Sequence, residues 1–344
     1  MDLDKRAFVE ELYESNREAY TEEARQALAR LLDASLDHQW MYIFELAQNA
    51  LDAGARRLSY TSDGCVLRFQ HDGPDRLKEK HVRALSQVGG STKGLSTIGF
   101  MGVGLKAVFS RFRTARVCGS GWRFRFDVGV DRGDFGTEIT RWFDALLPRW
   151  DPDLDEPDAG FTTLFQMQEP VRPDRPLGKD LARLEDHGLT PLAVLAARGL
   201  KRLTIGPVDF KLAFDDGGIC IERSDTEQPT RWRVFRAQYR PNDAAMAAFL
   251  KVRRQLKEEL TETGERRKRE VIALLPLDQQ GIPAPPKRGV AYTTLPTLDS
   301  TPTGFHLQAD WLVNVDRQGN QGQTTNTRLR RGLANETDAH LVIG

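Results

Sequence analysis

Glu45, Asn49 and Asp52 interrupt an otherwise apolar run, and their spacing is the strongest constraint in the chain. The stretch 40–58 carries helical periodicity. At about 100° per residue, positions four and seven along fall within roughly 40° of the first. One helix face therefore presents a carboxylate, an amide and a second carboxylate, while Ile43, Phe44, Leu46 and Leu51 supply the apolar side. Gly54 interrupts the pattern near its end. A carboxylate so placed can orient and deprotonate a water, and an amide oxygen is a hard ligand suited to Mg²⁺. A solvated helix face accounts for the trio equally well, so the decision rests with the segments downstream of it.

A short strand, 66–69, runs directly into His71-Asp72-Gly73-Pro74, a turn composition. An aspartate held there can accept a hydrogen bond from an exocyclic amine such as adenine offers; a plain β-turn aspartate is the alternative. A helix over 82–88 leads to the flexible loop Gly89-Gly90-Ser91-Thr92-Lys93-Gly94. A second loop, Gly99-Phe100-Met101-Gly102-Val103-Gly104, precedes a helix opening at Leu105. Backbone N–H groups at such a helix start favour phosphate, and Lys93 and Lys106 add positive charge beside it. Each signal is weak alone. Together, in one fixed order, they are strong.

The series Glu45-Leu-Ala-Gln-Asn49-Ala-Leu-Asp52-Ala53, then Asp72-Gly73, then Gly99-Phe-Met-Gly102-Val103-Gly104 resembles the GHKL (Bergerat-fold) ATPases. That superfamily includes gyrase, the ninety-kilodalton heat-shock chaperone, histidine kinases and the MutL proteins. The resemblance implies ATP and Mg²⁺ as cofactors and ATP hydrolysis to ADP as the activity. It implies Glu45 as general base, Asn49 as the Mg²⁺ ligand, Asp72 as the reader of the adenine amino group, and Gly102 and Gly104 as the lid's approach to phosphate. A later Gly-Thr motif has its counterpart in Gly160-Phe161-Thr162-Thr163, with Thr162 and Thr163 both open as the nucleotide contact. Ser91-Thr92-Lys93, the 117–126 hairpin, and the run from Leu295 through Trp311 to Arg317 are similar to the sacsin-type, or Nov-like, ATPase module. That narrower resemblance implies chaperone-like or defence-associated work. The turn Asp72-Gly73-Pro74-Asp75 lacks the family's later glycine.

The fold expected is α+β: a two-layer α/β sandwich of the Bergerat type over 1–172, a second, middle-type α/β domain over 173–325, and a tail over 326–344. Prolines cluster at the boundary, 170–180. In the first domain a hairpin joins 115–118 to 122–128 across Gly119-Ser120-Gly121, an acidic loop covers 150–160, and 161–167 is a strand. A helix over 181–198 and a strand over 202–205 come next. Beyond them lie strands over 208–214, 219–223, 271–277 and 289–295, a long charged helix over 244–269, and a loop over 283–286. In chaperone and mismatch-repair relatives the second domain supplies a cation to the γ-phosphate. Arg317 and Lys287-Arg288 are the candidates. His306, inside an apolar run, reads as a packed strand residue.

Bulk properties bound the rest. With 344 residues the chain is long enough for two cores. Lys plus Arg equals Asp plus Glu at 49 each, so the net charge is +0, which argues against nucleic acid as the main partner. Cys65, Cys118 and Cys220 stand far apart and read as reduced, mostly buried thiols. No apolar run reaches a membrane span and no signal-peptide core opens the chain, so the expected location is cytoplasmic. The expected partners are ATP and ADP, an ATP-dependent homodimer, and a protein client. The rival is a DNA-associated, ATP-gated module; a histidine kinase lacks its phosphoacceptor helices. The polar tail from Gly319 onward leaves two readings, a fragment of a longer protein or a short member.

Overall fold

The computed structural model describes residues 2–19, 21, 40–87, 105–128, 143–215, 217–239, 269–292, 296–301 and 303–309. The chain is α+β and divides into two compact units. The first comprises Met1–His187, Arg198–Leu212 and Glu222–Glu227; the second comprises Gly188–Ala197, Ala213–Ile221 and Gln228–Gly344. The chain first crosses between them after His187, beyond the proline cluster at 170–180.

The first unit is built on a sheet in the order β8-β7-β1-β2-β6-β3-β4-β5. Its strands are β1 (Arg57–Ser62), β2 (Leu67–His71), β3 (Phe112–Gly119), β4 (Trp122–Asp127), β5 (Arg149–Trp150), β6 (Thr163–Pro170), β7 (Arg202–Ile205) and β8 (Val208–Asp215). β1 and β7 are parallel, with Leu58 opposite Leu203; the other pairs are antiparallel. The β3–β4 hairpin turns on Ser120 and Gly121, at φ 55 and 77. Both are left-handed, as a two-residue hairpin turn requires.

Alternation along the strands sorts the two faces. Tyr60, Phe69, Phe165, Val117 and Phe124 stand in one cross-strand row and are buried. The next row is Thr61, Arg68, Gln166, Arg116 and Arg125. Helix α2 (Met41–Asp52) packs on the apolar face, where the Tyr60 hydroxyl donates to the Ile43 carbonyl at 2.7 Å. Burying Ile43, Phe44 and Leu46 contributes about 1.5–3 kcal/mol per side chain. On the polar face the acidic loop folds back: Arg116 makes a bidentate pair with Asp151 at 2.7 and 3.1 Å, Arg123 meets Glu156, and Arg68 meets Asp155.

Helix α1 (Asp2–Ala19) closes the hairpin side. Lys5 donates to the Ser120 carbonyl at 2.6 Å, and Phe8 sets its ring edge on Trp122 at 5.6 Å. Asn16 donates to the carbonyls of Ser86 and Leu146, at 2.9 and 2.8 Å.

Two sequence expectations change here. The helix expected over 40–58 ends at Asp52, because Gly54 adopts φ +78. The amides of Gly54 and Ala55 then return to the Leu51 and Ala50 carbonyls, both at 2.9 Å, a Schellman stop. Beyond this stop the chain extends into the strand β1. The thiols also differ: Cys118 is buried and Cys220 half-buried, but Cys65 is exposed. Burial, helped by Glu156, pushes the Cys118 thiol up to about 12.

The second unit orders its strands β13-β12-β14-β11-β10-β9. These are β9 (Gly218–Arg223), β10 (Thr230–Tyr239), β11 (Arg269–Leu277), β12 (Gly289–Tyr292), β13 (Pro296–Thr301) and β14 (His306–Ala309). His306 is buried and its Nδ1 accepts from the Val290 amide at 3.2 Å, a packed strand residue as expected. Lys287 and Arg288 are exposed. The expected 244–269 helix lies outside the described residues except for Arg269, which opens β11. Among the described residues no helix is long and apolar enough to cross a membrane.

One buried ion group ties the first unit together. Arg111 and Asp180 have fully buried side chains and pair at 2.9 Å. The remaining Arg111 donors take the carbonyls of Arg172 and Arg175, and Arg175 also reaches Asp180. The Tyr42 hydroxyl donates to the same carboxylate at 3.4 Å, and burial with that carboxylate holds its pKa well above the usual tyrosine value. Removing one member strands the other charge. Asp180→Asn should therefore lower stability by about 3–5 kcal/mol. The pair Arg111→Met with Asp180→Leu should recover most of that loss, as read by urea titration of the circular dichroism signal.

Candidate functional site

The site forms where α2 ends. Glu45 is 4% exposed, whereas Asn49, Asp52 and Ala53 are half-buried. The face expected from the periodicity thus has a gradient of burial, with one carboxylate buried and an amide and a second carboxylate half-buried. Oxygen donors of this kind suit a hard cation, and Mg²⁺ commonly takes only one or two protein ligands. Among the described residues no group of three or more His, Cys, Asp or Glu forms a metal site.

The turn after β2 abuts this helix end. A Cβ on Gly73 would lie 2.9 Å from the Ala53 carbonyl oxygen and 2.9 Å from His71 Nδ1. Only glycine allows this approach. The Gly73 peptide is held from two sides. Its N–H donates to His71 Nδ1 at 3.1 Å, and its carbonyl accepts from Thr162 Oγ1 at 2.8 Å. The Asp75 backbone N–H donates a hydrogen bond to the Ala53 carbonyl at 3.3 Å.

Asp72 is fixed by the start of β1. Its Oδ1 accepts from the amides of Arg56 and Arg57, both at 2.8 Å. Those bonds fix the carboxylate through Oδ1. His71 beneath is buried between Phe69 and Phe165, with ring centroids at 6.1 and 6.4 Å. Burial lowers its pKa to about 4, so it is a neutral acceptor for the Gly73 amide.

The two threonines separate. Thr162 reaches the turn, and its amide also donates to the His71 carbonyl at 2.9 Å. Thr163 is buried in β6, opposite His71, beside Gly119. Lys106 is placed differently from the expectation of a cation beside phosphate. Its side chain is fully buried in the 3-10 helix Leu105–Ser110, donates to the Leu85 and Ala145 carbonyls, and sits 5.0 Å from the Phe126 ring centroid. Burial pulls its pKa down to about 7. Ser91, Thr92, Lys93, Gly99, Gly102, Val103, Gly104 and Arg317 lie outside the described residues.

The structure therefore brings Ala53, at the end of the helix that carries Glu45, Asn49 and Asp52, against the turn of Asp72 and Gly73 that Thr162 holds. Sequence reasoning missed His71 and the Arg56–Arg57 amides. The position of His71 directly before the Asp-Gly pair was the available signal; nothing marked the amides.

No protein-family model matches the chain, and no curated protein matches it. Among solved structures it is similar to the B subunit of DNA gyrase from Myxococcus xanthus. The likeness has a TM-score of 0.38 and 13% identity, over 76% of this chain and 67% of that one. A TM-score of that size carries nothing across to this chain.

The buried His71 predicts a pH dependence. In the folded chain it protonates near 4, in the unfolded chain near 6.5. Between those values the unfolded state binds more protons, so stability rises with pH. The gain across the window is about 3 kcal/mol. Urea titrations at pH 4.5, 5.5, 6.5 and 7.5 should show that rise, and His71→Gln should flatten it.

Proposed function

We propose that the first unit is a GHKL-type ATP-binding module that hydrolyses ATP slowly with Mg²⁺. The observation that supports this best is the clamped turn. Asp72 is held through Oδ1 by two backbone amides, beside the end of the helix that carries Glu45, Asn49 and Asp52. In this reading its Oδ2 faces the nucleotide, accepts from the adenine 6-amino group and repels a carbonyl at that position. Asn49, half-buried, is the Mg²⁺ ligand in this reading, and Asp52 and Ala53 follow it at the helix end. Glu45, deeper, is the general base for the attacking water. Thr162 supports the site through the Gly73 carbonyl. In the same reading Ser91, Thr92, Lys93 and the glycine loop at Gly99, Gly102, Val103 and Gly104 bind phosphate.

The cation from the second unit, Arg317 or Lys287-Arg288, is part of this proposal, because phosphoryl transfer is catalysed mainly by positioned charge. So are ATP-dependent dimerisation and a chaperone-like or defence-associated output, which rest on the sequence resemblance to sacsin-type modules. A DNA-gated module makes a different forecast: a DNA-stimulated rate with a steep salt dependence.

Two substitutions separate binding from turnover. Glu45→Ala should lower the ATPase rate by about 10²–10⁴-fold, the usual worth of a general base, and leave the ATP dissociation constant within a few-fold of wild type. Asp72→Asn keeps an acceptor for the Arg56 and Arg57 amides but replaces the second oxygen with a donor. It should fold normally and lose ATP binding, measured by calorimetry. Normal hydrolysis by the Glu45 variant would remove it as the base. Normal binding by Asp72→Asn would sink the adenine assignment.

A further inference from the structure

Gln48 is fully buried with both polar atoms unpaired: its relative exposure is 0%, and neither Oε1 nor Nε2 has a hydrogen-bond partner. Several comparably buried side chains of the first unit have partners. Lys106 takes two carbonyls, Arg111 takes a carboxylate and two carbonyls, Asn16 takes two carbonyls, and Ser86 and Ser110 take one each. A buried amide without partners costs about 1–3 kcal/mol. Gln166 also leaves an oxygen unpaired, but in the arginine row on the opposite face of the sheet from α2.

The place of Gln48 gives the cost a purpose. It lies three residues after Glu45 and four before Asp52, and such residues are neighbours on a helix surface. It therefore adjoins both carboxylates of the face, at the depth of Glu45 and below the half-buried Asn49 and Asp52. An amide offers an acceptor and two donors in one plane. That suits a water, which must give one proton to a base and have its second proton and lone pair aimed.

We propose that Gln48 is a positioning residue for the attacking water, an inference that rests on the ATPase reading. In the step, the water oxygen bonds to the γ-phosphorus and the bond from phosphorus to the β,γ-bridging oxygen breaks. One water proton passes to Glu45; the products are ADP and phosphate. Gln48 neither gains nor loses a proton. Its Oε1 accepts the water's second hydrogen, so that the lone pair faces phosphorus and the transferred hydrogen faces Glu45. Its effect falls on turnover and not on nucleotide affinity.

The test uses Gln48→Met, which keeps length and volume and removes hydrogen bonding, and Gln48→Glu, which keeps an acceptor. Three quantities are read for the full chain: ATP dissociation constant, single-turnover hydrolysis rate, and melting temperature. The Met variant should bind ATP within threefold of wild type, melt at the same temperature or higher, and hydrolyse at least tenfold more slowly. The Glu variant should regain part of the rate, with an added ionisation in its pH–rate profile. A Met variant that hydrolyses at the wild-type rate overturns the proposal, and so does one that melts lower, since that amide would then be a packing element. If the wild-type chain itself turns over no ATP, the parent reading falls and takes this one with it; wild-type turnover with an indifferent Met variant removes this one alone.

Discussion

The carbonyl of Ala53 stands where a side chain at position 73 would have to go. That exclusion is the constraint on which the site depends. It lets the end of α2 and the turn after β2 approach through backbone, so the spacing between the helix end and Asp72 is set by backbone packing and not by flexible side chains. His71 and Thr162 then hold the Gly73 peptide by its amide and its carbonyl. Thr162 leads into β6 and Asp72 is tied to the start of β1, so elements far apart in sequence converge on two residues. Gly54 serves the same junction from the other side: its positive φ stops the helix, and a Cβ there would meet Pro74 at 3.3 Å.

Much of this was legible because the relevant signals are local. The face of Glu45, Asn49 and Asp52 comes from helical periodicity, and the 120–121 hairpin from its turn residues. The strand Arg202–Ile205 matches the expected span. What escaped was non-local. Arg57 and Leu58, the start of the strand Arg57–Ser62, read as the end of a helix because the strand's partners, Leu67–His71 on one side and Arg202–Ile205 on the other, are fixed by pairing that no window of sequence contains. Thr230–Tyr239 escaped for the same reason: its register with Arg269–Leu277 spans a long connection. Lys106 escaped differently. A lysine after a glycine loop reads as a solvated cation, and only the carbonyls of Leu85 and Ala145 explain its complete burial.

The zero net charge has a local counterpart. Arg68, Arg116 and Arg125 share one cross-strand row, with Arg123 adjacent on the same strand as Arg125. Left open, they would make a basic stripe. The acidic loop neutralises them, but unevenly. The Asp151 carboxylate is 1% exposed and bidentate to Arg116, whereas those of Asp155 and Asp158 are 68% and 65% exposed. Exposed pairs of the latter kind contribute about 0–1 kcal/mol each. The loop is thus anchored at Asp151 and only weakly held beyond it. The arginines of this face are thus paired within the sheet's own unit.

Buried polarity in the first unit serves two ends. Asn16 grips the carbonyls of Ser86 and Leu146, and Lys106 grips those of the preceding residues, Leu85 and Ala145. Two side chains from separate elements therefore fasten the same two segments. Arg111 and Asp180 do likewise for α2, through Tyr42, and for the loop after β6. Each of these groups has hydrogen-bond partners, so each adds rigidity at a reduced desolvation cost. Gln48 has none. A chain can carry one unpaired amide at about 1–3 kcal/mol only if its scaffold is otherwise secure. Leaving an amide unpaired beside a buried carboxylate keeps its donors and acceptor oriented before any ligand arrives, which is the condition under which polar groups act most strongly on a reacting centre. The partnered clamps and the unpaired amide are therefore two parts of one arrangement: the first holds α2 still, and the second gives that stillness something to act on.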